Sequence, residues 1–232
     1  MFNRYTIGLT PEEFGKRFSV DTPAHYRPRF NAAPSQLLPV ITAGAERGIS
    51  WFYWGLPPQR SRQKPVSEKF TCRKSTELST KPALRRHLLS HRCEIPADGF
   101  YVWKPLGKKT LVPYWVRLPD NEAFSIAGVW EEFESETGEM QHTFTMVTHA
   151  ATGDLADLTD QAPLLLTAPA AQVWGGWHRP EKDILEVLNK YTQPEMHFHP
   201  VSPAIEDARL DTSALTAATP PADQFGNLTL FG

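Results

Sequence analysis

Apolar and polar positions along the chain change period often, and the segments they define are short. Thr10-Pro11-Glu12-Glu13 reads as a helix start, with a Thr cap, Pro at the first position and acids in the first turn; that helix runs to about Phe18. Residues 36–43 (QLLPVITA) and 49–56 (ISWFYWGL) are apolar runs of strand length, with Gly44 and Gly48 between them. Residues 82–91 (PALRRHLLSH) repeat at helical spacing, with Leu84, Leu88 and Leu89 on one side and Arg85, Arg86 and His87 around the other. Residues 94–103 (EIPADGFYVW), 112–118, 123–133 and 141–150 read as strands, and SETGE (135–139) as the hairpin turn between the last two. Within 94–103, Asp98-Gly99 is turn chemistry and Phe100 to Trp103 alternates like a strand. Residues 168–177 and 181–191 predict short helices, and 196–202 (MHFHPVS) a late strand or loop. No internal repeat is present.

The pattern predicts an α+β chain that is mostly antiparallel β, with a few short peripheral helices, in one domain over residues 1–232. The 21 prolines punctuate these elements and argue against long helices. An Ala- and Pro-rich tail, about 216–232, is expected to lie over the surface.

Composition narrows the class. With 232 residues, 41% hydrophobic and 22% charged, the chain can bury a core without a metal or a disulfide. Its two cysteines, Cys72 and Cys93, suggest neither a disulfide framework nor a structural zinc site. No apolar run reaches membrane-spanning length, and the N-terminal MFNRYTIGLTPEEF lacks the apolar stretch of a secretory signal. A cytoplasmic location, with no membrane partner, is the expectation.

Charge is distributed unevenly. Residues 59–92 hold ten Lys/Arg against Glu68 and Glu77, a local +8, whereas the rest of the chain carries −10. Acids gather at Glu131, Glu132, Glu134, Glu136 and Glu139. A basic segment of this kind suits a polyanion, although a solvated charged face would read the same way.

Isolated chemistry is weak. His197 and His199 alternate on one side of a strand but lack a third ligand. Asp154, Asp157 and Asp160 lack the Gly and terminal Glu of a calcium hand and read as a capped turn. Cys72 lies beside Arg73, which lowers a thiol pKa, but no base accompanies it. No metal or cofactor is expected. Trp51, Trp54 and Trp103 are core or groove residues; aromatics beside a basic strip also suit single-stranded nucleic acid.

The stretch RCEIPADGFYVW, residues 92–103, resembles the signature R-C-[LI]-I-P-A-x-G-[FW]-[YF]-E-W of the SOS-response-associated peptidase family, the abasic-site crosslinking proteins. Further blocks are similar in the same order. RFNAAPSQLLPVI (29–41) resembles Y-N-x-A-P-T-Q-x-x-P-V, WGLPP (54–58) matches W-G-L-x-P, and TCRKST (71–76) stands for N-A-R-x-E-T. AGVWEEF (127–133), the segment from Thr145 through Leu166, HPVS (199–202) and the closing LTLF complete the series. The resemblance implies the family's fold and a reaction at an N-terminal cysteine. After Met removal its amine and thiol capture the ring-opened aldehyde of an abasic site in single-stranded DNA as a thiazolidine, assisted by an Asn, a Glu and a His.

Residue by residue, those positions are altered. The cysteine position is Phe2, whose bulk also disfavours Met removal. The Asn falls on Thr71, the Glu on Val102, and the His on Thr159, with Gln161 at a neighbouring Arg position. None of these replacements transfers protons near neutrality. The resemblance thus implies a retained scaffold without the covalent chemistry, and a pocket where Phe2, Thr71, Val102 and Thr159 converge. Arg4, Asn31, Pro34, Arg73, Trp103, His199 and Ser202 match the family, Arg73 standing for a phosphate-contacting Arg. Arg60, Arg62 and Lys64 replace an aromatic that follows W-G-x-x-P in many members, favouring backbone over base contacts.

Three functions compete on this reading. One is binding of single-stranded or abasic DNA without crosslinking, with the protein associated with the nucleoid. A second is processing of abasic DNA through another amine, Lys74 or the Met1 terminus. The third is a protein-interaction module that kept only the fold.

Overall fold

The computed structural model describes residues 3–43, 47–55, 68–107, 109–135 and 137–229. Phe2, the 56–58 part of the W-G-L-x-P block and the Arg60, Arg62, Lys64 strip lie outside the described residues.

In chain order the elements are β1 (Arg4–Ile7), α1 (Pro11–Phe18), β2 (Arg29–Ala32), β3 (Leu37–Thr42), β4 (Ile49–Trp54), α2 (Glu68–Thr71) and β5 (Cys72–Lys74). Next come α3 (Ser75–Thr80), α4 (Pro82–Ser90), β6 (Arg92–Ala97), β7 (Gly99–Leu106), β8 (Thr110–Arg117), β9 (Phe124–Glu134) and β10 (Met140–Ala150). Finally β11 (Gln161–Pro163), β12 (Leu165–Leu166), α5 (Ala168–Trp174), α6 (Glu181–Asn189) and β13 (His197–Pro200) lead into single 3-10 turns at Pro203–Glu206 and Ser213–Thr216.

The helix signals act as read. Thr10 and Glu13 form a reciprocal capping box, the Glu13 amide donating to Thr10 Oγ1 at 3.3 Å and the Thr10 amide to Glu13 Oε2 at 2.8 Å. Phe14 and Phe18 bury the inner face of α1. The helix expected over 168–177 stops at Trp174, because Gly175 and Gly176 follow.

The strands form two sheets. β13-β8-β7-β1-β2 is an antiparallel five-stranded sheet. In the other, β9 and β10 make a long hairpin, β10 runs parallel to β4, and β4, β3, β6 and β9 follow antiparallel. These pairings close a ring of strands, a small barrel that leaves no open edge in that circuit. β5 adds parallel to β10.

One expected strand is corrected here. Residues 94–103 are not one strand or a hairpin. The chain passes at Asp98 from β6, in the barrel, to β7, in the five-stranded sheet. Gly99 is demanded by contact and not by a turn: a Cβ there would stand 2.3 Å from Trp115 Nε1.

Three apolar clusters hold these layers. The main core fills the barrel and its contact with the five-stranded sheet, including Tyr5, Leu38, Trp54, Cys93, Ile95, Phe100, Val102 and Phe144. A second packs Ala127, Val129 and Val147 beneath residues of α3 to α6, such as Leu78, Leu88, Trp174 and Ile184. A third lies on the outer face of the five-stranded sheet, where Tyr101 and Trp103 meet Val201, Ile205 and Leu215. The segment after β13 is therefore a strap over that sheet. Beyond it, Val201 bridges Ala218 and the Thr219 amide donates to the Pro200 carbonyl, fixing the start of the tail to the surface.

Arg92 joins barrel to helices. Only 2% exposed, its guanidinium donates to the carbonyls of Leu88 and Leu89 at the end of α4, and of Trp174 and Gly176 at the end of α5. Helix C-termini favour a cation, which offsets the burial that lowers its pKa.

Candidate functional site

β7 carries two different faces. Phe100 and Val102 point into the main core, and Tyr101 and Trp103 to the strap. Val102 is fully buried, in one cluster with Cys72 and Leu158, which are the chain neighbours of Thr71 and Thr159.

Thr71 is buried at the end of α2, and its carbonyl accepts the Trp54 indole N–H at 3.0 Å. Gly55, with φ +65°, lies against it; a Cβ at Gly55 would be 2.7 Å from Thr71 Cγ2. Thr159 is half-buried and its hydroxyl donates to the Gln161 carbonyl at 3.0 Å. The Thr148 hydroxyl, bonded to Gln161 Oε1 at 3.2 Å and to the Arg73 carbonyl at 3.5 Å, ties that loop to the strand carrying Cys72 and Arg73. Threonine hydroxyls and an isopropyl group in an apolar core offer no acid or base of useful pKa.

The outer face is dominated by the strap. Asn31 is fully buried, and its amide donates to the carbonyls of Ile205, Asp207 and Leu210 at 3.3, 3.1 and 2.9 Å. Asp211 accepts the Phe30 and Asn31 main-chain amides at 2.6 and 2.9 Å and pairs with Arg29. The His199 ring donates to the Thr216 carbonyl at 2.9 Å, and Ser202 caps the turn at Pro203–Glu206. The Trp103 indole donates to Glu206 at 2.5 Å. Asn31, Trp103, His199 and Ser202 thus hold the strap. In this structure Asn31 spends its side-chain donors on the strap.

Arg4 is half-buried across from Tyr101. Burial lowers its pKa, and the nearby Glu206 charge opposes that. Pro34 occupies a half-buried turn with Ser35, whose amide donates to the Trp54 carbonyl at 2.7 Å. Arg73 alternates with core-facing Cys72 and lines a crevice with Leu78, Leu84, His87, Trp130 and Glu131. Arg4 and Arg73 therefore lie on different faces, one beneath the strap and one beside α3 and α4.

His197 and His199 gain no third ligand, and among the described residues no group of three or more His, Cys, Asp and Glu is placed to hold a metal ion. Cys72 and Cys93 are buried and neither is in a disulfide, and burial pushes the Cys93 thiol up. Among the described residues no helix is long and apolar enough to cross a membrane.

Sequence reasoning passed over Glu94. The family signature has Leu or Ile at this position. Glu94 is 1% exposed, takes both terminal nitrogens of Arg47 at 2.6 and 3.1 Å, and accepts the Ser125 hydroxyl at 2.7 Å. A charged residue inside an apolar signature was the available signal.

The SOS response associated peptidase (SRAP) family model matches residues 1–208. The chain belongs to the SRAP family. It is 29% identical over 220 residues to the abasic site processing protein YoqW of Bacillus subtilis, covering 93% of this chain and 98% of that one. It is 26% identical to the abasic site processing protein HMCES of Gallus gallus, covering 81% of this chain and 65% of the relative. The fold is shared with a Bordetella bronchiseptica protein of known structure, with a TM-score of 0.71 and 21% identity over 86% of this chain and 99% of the other. A Bacteroides thetaiotaomicron structure matches with a TM-score of 0.65 and 21% identity over 80% and 82%. The SRAP fold is thus mostly β here, a single SRAP-like domain with short helices.

Proposed function

We propose that this SRAP protein serves DNA-damage responses by binding single-stranded or abasic DNA without forming a thiazolidine crosslink. The observation that carries the reading is Val102. It stands at the SRAP acid/base position on β7 and is fully buried in the apolar core. Phe2, Thr71 and Thr159 at the other reacting positions point the same way. Each removes an acid, a base or a nucleophile, while the surrounding scaffold is kept.

The DNA half of the reading is supported by the abasic-site-processing relatives and by the +8 segment over residues 59–92. Arg4 and Arg73 are the described residues offered to phosphates, and Arg60, Arg62 and Lys64 are added from the sequence alone. Such contacts are backbone-directed, so affinity is sequence-tolerant and salt-sensitive.

A second reading is a protein-interaction module. It is favoured by the commitment of Asn31, Trp103, His199 and Ser202 to the strap, which makes their retention a matter of folding.

The test is incubation with abasic single-stranded DNA, with and without borohydride, read on a denaturing gel beside an equilibrium binding measurement. Salt-sensitive binding without a heat-stable adduct is expected. A reductant-independent adduct overturns the non-crosslinking reading, and absence of binding at low salt moves the assignment to the interaction module.

A further inference from the structure

Arg4 stands directly opposite Tyr101 in the β1–β7 ladder. Cross-strand partners share a face of the sheet, as do alternate residues of one strand. Arg4, Tyr101 and Trp103 therefore lie together on the outer face, with Trp103 the diagonal neighbour of Arg4. The Glu206 carboxylate is held over that point by the Trp103 indole, at 2.5 Å.

Arg4 has donor capacity to spare. One terminal nitrogen donates to the Asn3 carbonyl at 2.9 Å, while Nε is buried and has no hydrogen-bond partner among the described residues. Buried guanidinium donors are normally satisfied, so this group is set up for an acceptor that is not a fixed part of the fold. Glu206 is solvent-exposed, with the Trp103 indole as its hydrogen-bond donor, and its charge acts on Arg4. The next acid, Asp207, is no rival for the role, because Arg209 grips it at 2.7 and 2.8 Å.

We propose that Glu206 stands in for a backbone phosphate at an Arg4–Trp103 subsite, so that this carboxylate competes with a nucleic-acid strand for Arg4. The strap itself stays anchored through Asn31 and Asp211, and only the Glu206 side chain leaves. Its departure removes the carboxylate charge beside Arg4, which makes no direct ion pair with it, and leaves the guanidinium to a phosphodiester, a group that such a fork recognises well. This inference rests on the proposed DNA-binding reading and adds a built-in brake to it.

Glu206→Gln is the discriminating variant, because an amide oxygen still accepts from Trp103 while the charge is gone. Binding of a labelled single-stranded oligonucleotide is measured against salt for the unaltered protein, Glu206→Gln, Arg4→Ala and the double variant. Glu206→Gln is expected to bind about threefold to tenfold tighter, with a salt slope steeper by about 0.7, the increment for one more phosphate contact on a single strand. That gain is expected to vanish in the Arg4→Ala background, as coupling through one partner requires. If the unaltered protein binds but Glu206→Gln gains nothing, or gains equally without Arg4, the brake is refuted and the DNA reading stands. If none of the four proteins binds at low salt, the DNA reading falls and the brake with it.

Discussion

Asp211 Oδ1 accepts the main-chain amide of Asn31 at 2.9 Å, across 180 residues of sequence. The Asn31 side chain answers by donating to three carbonyls of the segment leading to Asp211. β2 and the strap are thus locked from both sides, and the outer face of the five-stranded sheet stays covered.

Asn31→Ala should loosen that lock. It leaves the buried Ile205 carbonyl without this donor, at a cost of about 1–3 kcal/mol, and removes the half-buried bonds to Asp207 and Leu210 as well. The expected result is a lower Tm together with faster amide exchange over residues 203–216 and the outer face of β7. Unchanged exchange in the strap would contradict the assignment of Asn31 to a structural role.

Glu94 and Arg47 form a largely buried pair where the family signature places an apolar residue. Removing one partner strands the other, which costs about 3–5 kcal/mol when both are fully buried. Arg47 is 39% exposed and Ser125 still bonds the carboxylate, so Arg47→Ala should cost less, about 2–3 kcal/mol. Glu94→Leu, which restores the signature residue and removes the buried charge, should cost less than Arg47→Ala. Chemical denaturation of the two variants decides the order, and the reverse order would sink this account.

Asp98 is pushed above the usual carboxylate range by burial, although the Gly8 amide donates to it at 2.7 Å. The folded protein therefore holds this proton more tightly than the unfolded chain does. Its contribution to stability is greatest below the ordinary carboxylate pKa and is lost as pH rises through the raised value. Asp98→Asn should remove that loss, so the stability difference between the two proteins should shift in favour of the variant as pH rises toward neutrality. Thermal unfolding across that range checks the direction, and a difference independent of pH would show that Asp98 titrates as in an unfolded chain.

Much of the fold was legible in the sequence, and the misses have physical causes. Capping at Thr10, helical spacing over 82–90 and alternation in β8 to β10 are local signals, and they located their elements. β5, β11 and β12 are two or three residues long, too short to show a period. The division of 94–103 into β6 and β7 is tertiary: Asp98-Gly99 looked like a hairpin, but Gly99 is small because the Trp115 indole lies on it. Gly99→Ala should therefore destabilise by about 1–3 kcal/mol through overpacking. The strap was the least visible feature, because Asn31 and His199 act on groups distant along the chain, while Ser202 caps the turn beside it. Their match to the family says that the positions are shared, and the sequence does not say what they touch.

The last expectation concerns the lost covalent step, and burial of Val102 sharpens it. A stable thiazolidine needs an amine and a thiol on one residue, and Phe2 provides no thiol. Cys72 cannot replace it, because its own nitrogen is in a peptide bond. A Schiff base from Met1 or Lys74 would stay hydrolysable and appear only with borohydride. Phe2→Cys alone should recover little, since a missing proton-transfer group typically costs about 10²–10⁴ in rate. Val102→Glu, the obvious companion, carries its own cost. A carboxylate placed where Val102 now packs loses its hydration, so it should either take up a proton or destabilise the fold by several kcal/mol, on the order of the penalty for an unpaired buried ion. Full restoration with Phe2→Cys, Thr71→Asn, Val102→Glu and Thr159→His should therefore lower Tm while it raises adduct yield on abasic single-stranded DNA. Adduct formation by Phe2→Cys alone at the rate of the quadruple variant would mean that the acid/base groups are dispensable here, and that Val102 does not decide the chemistry.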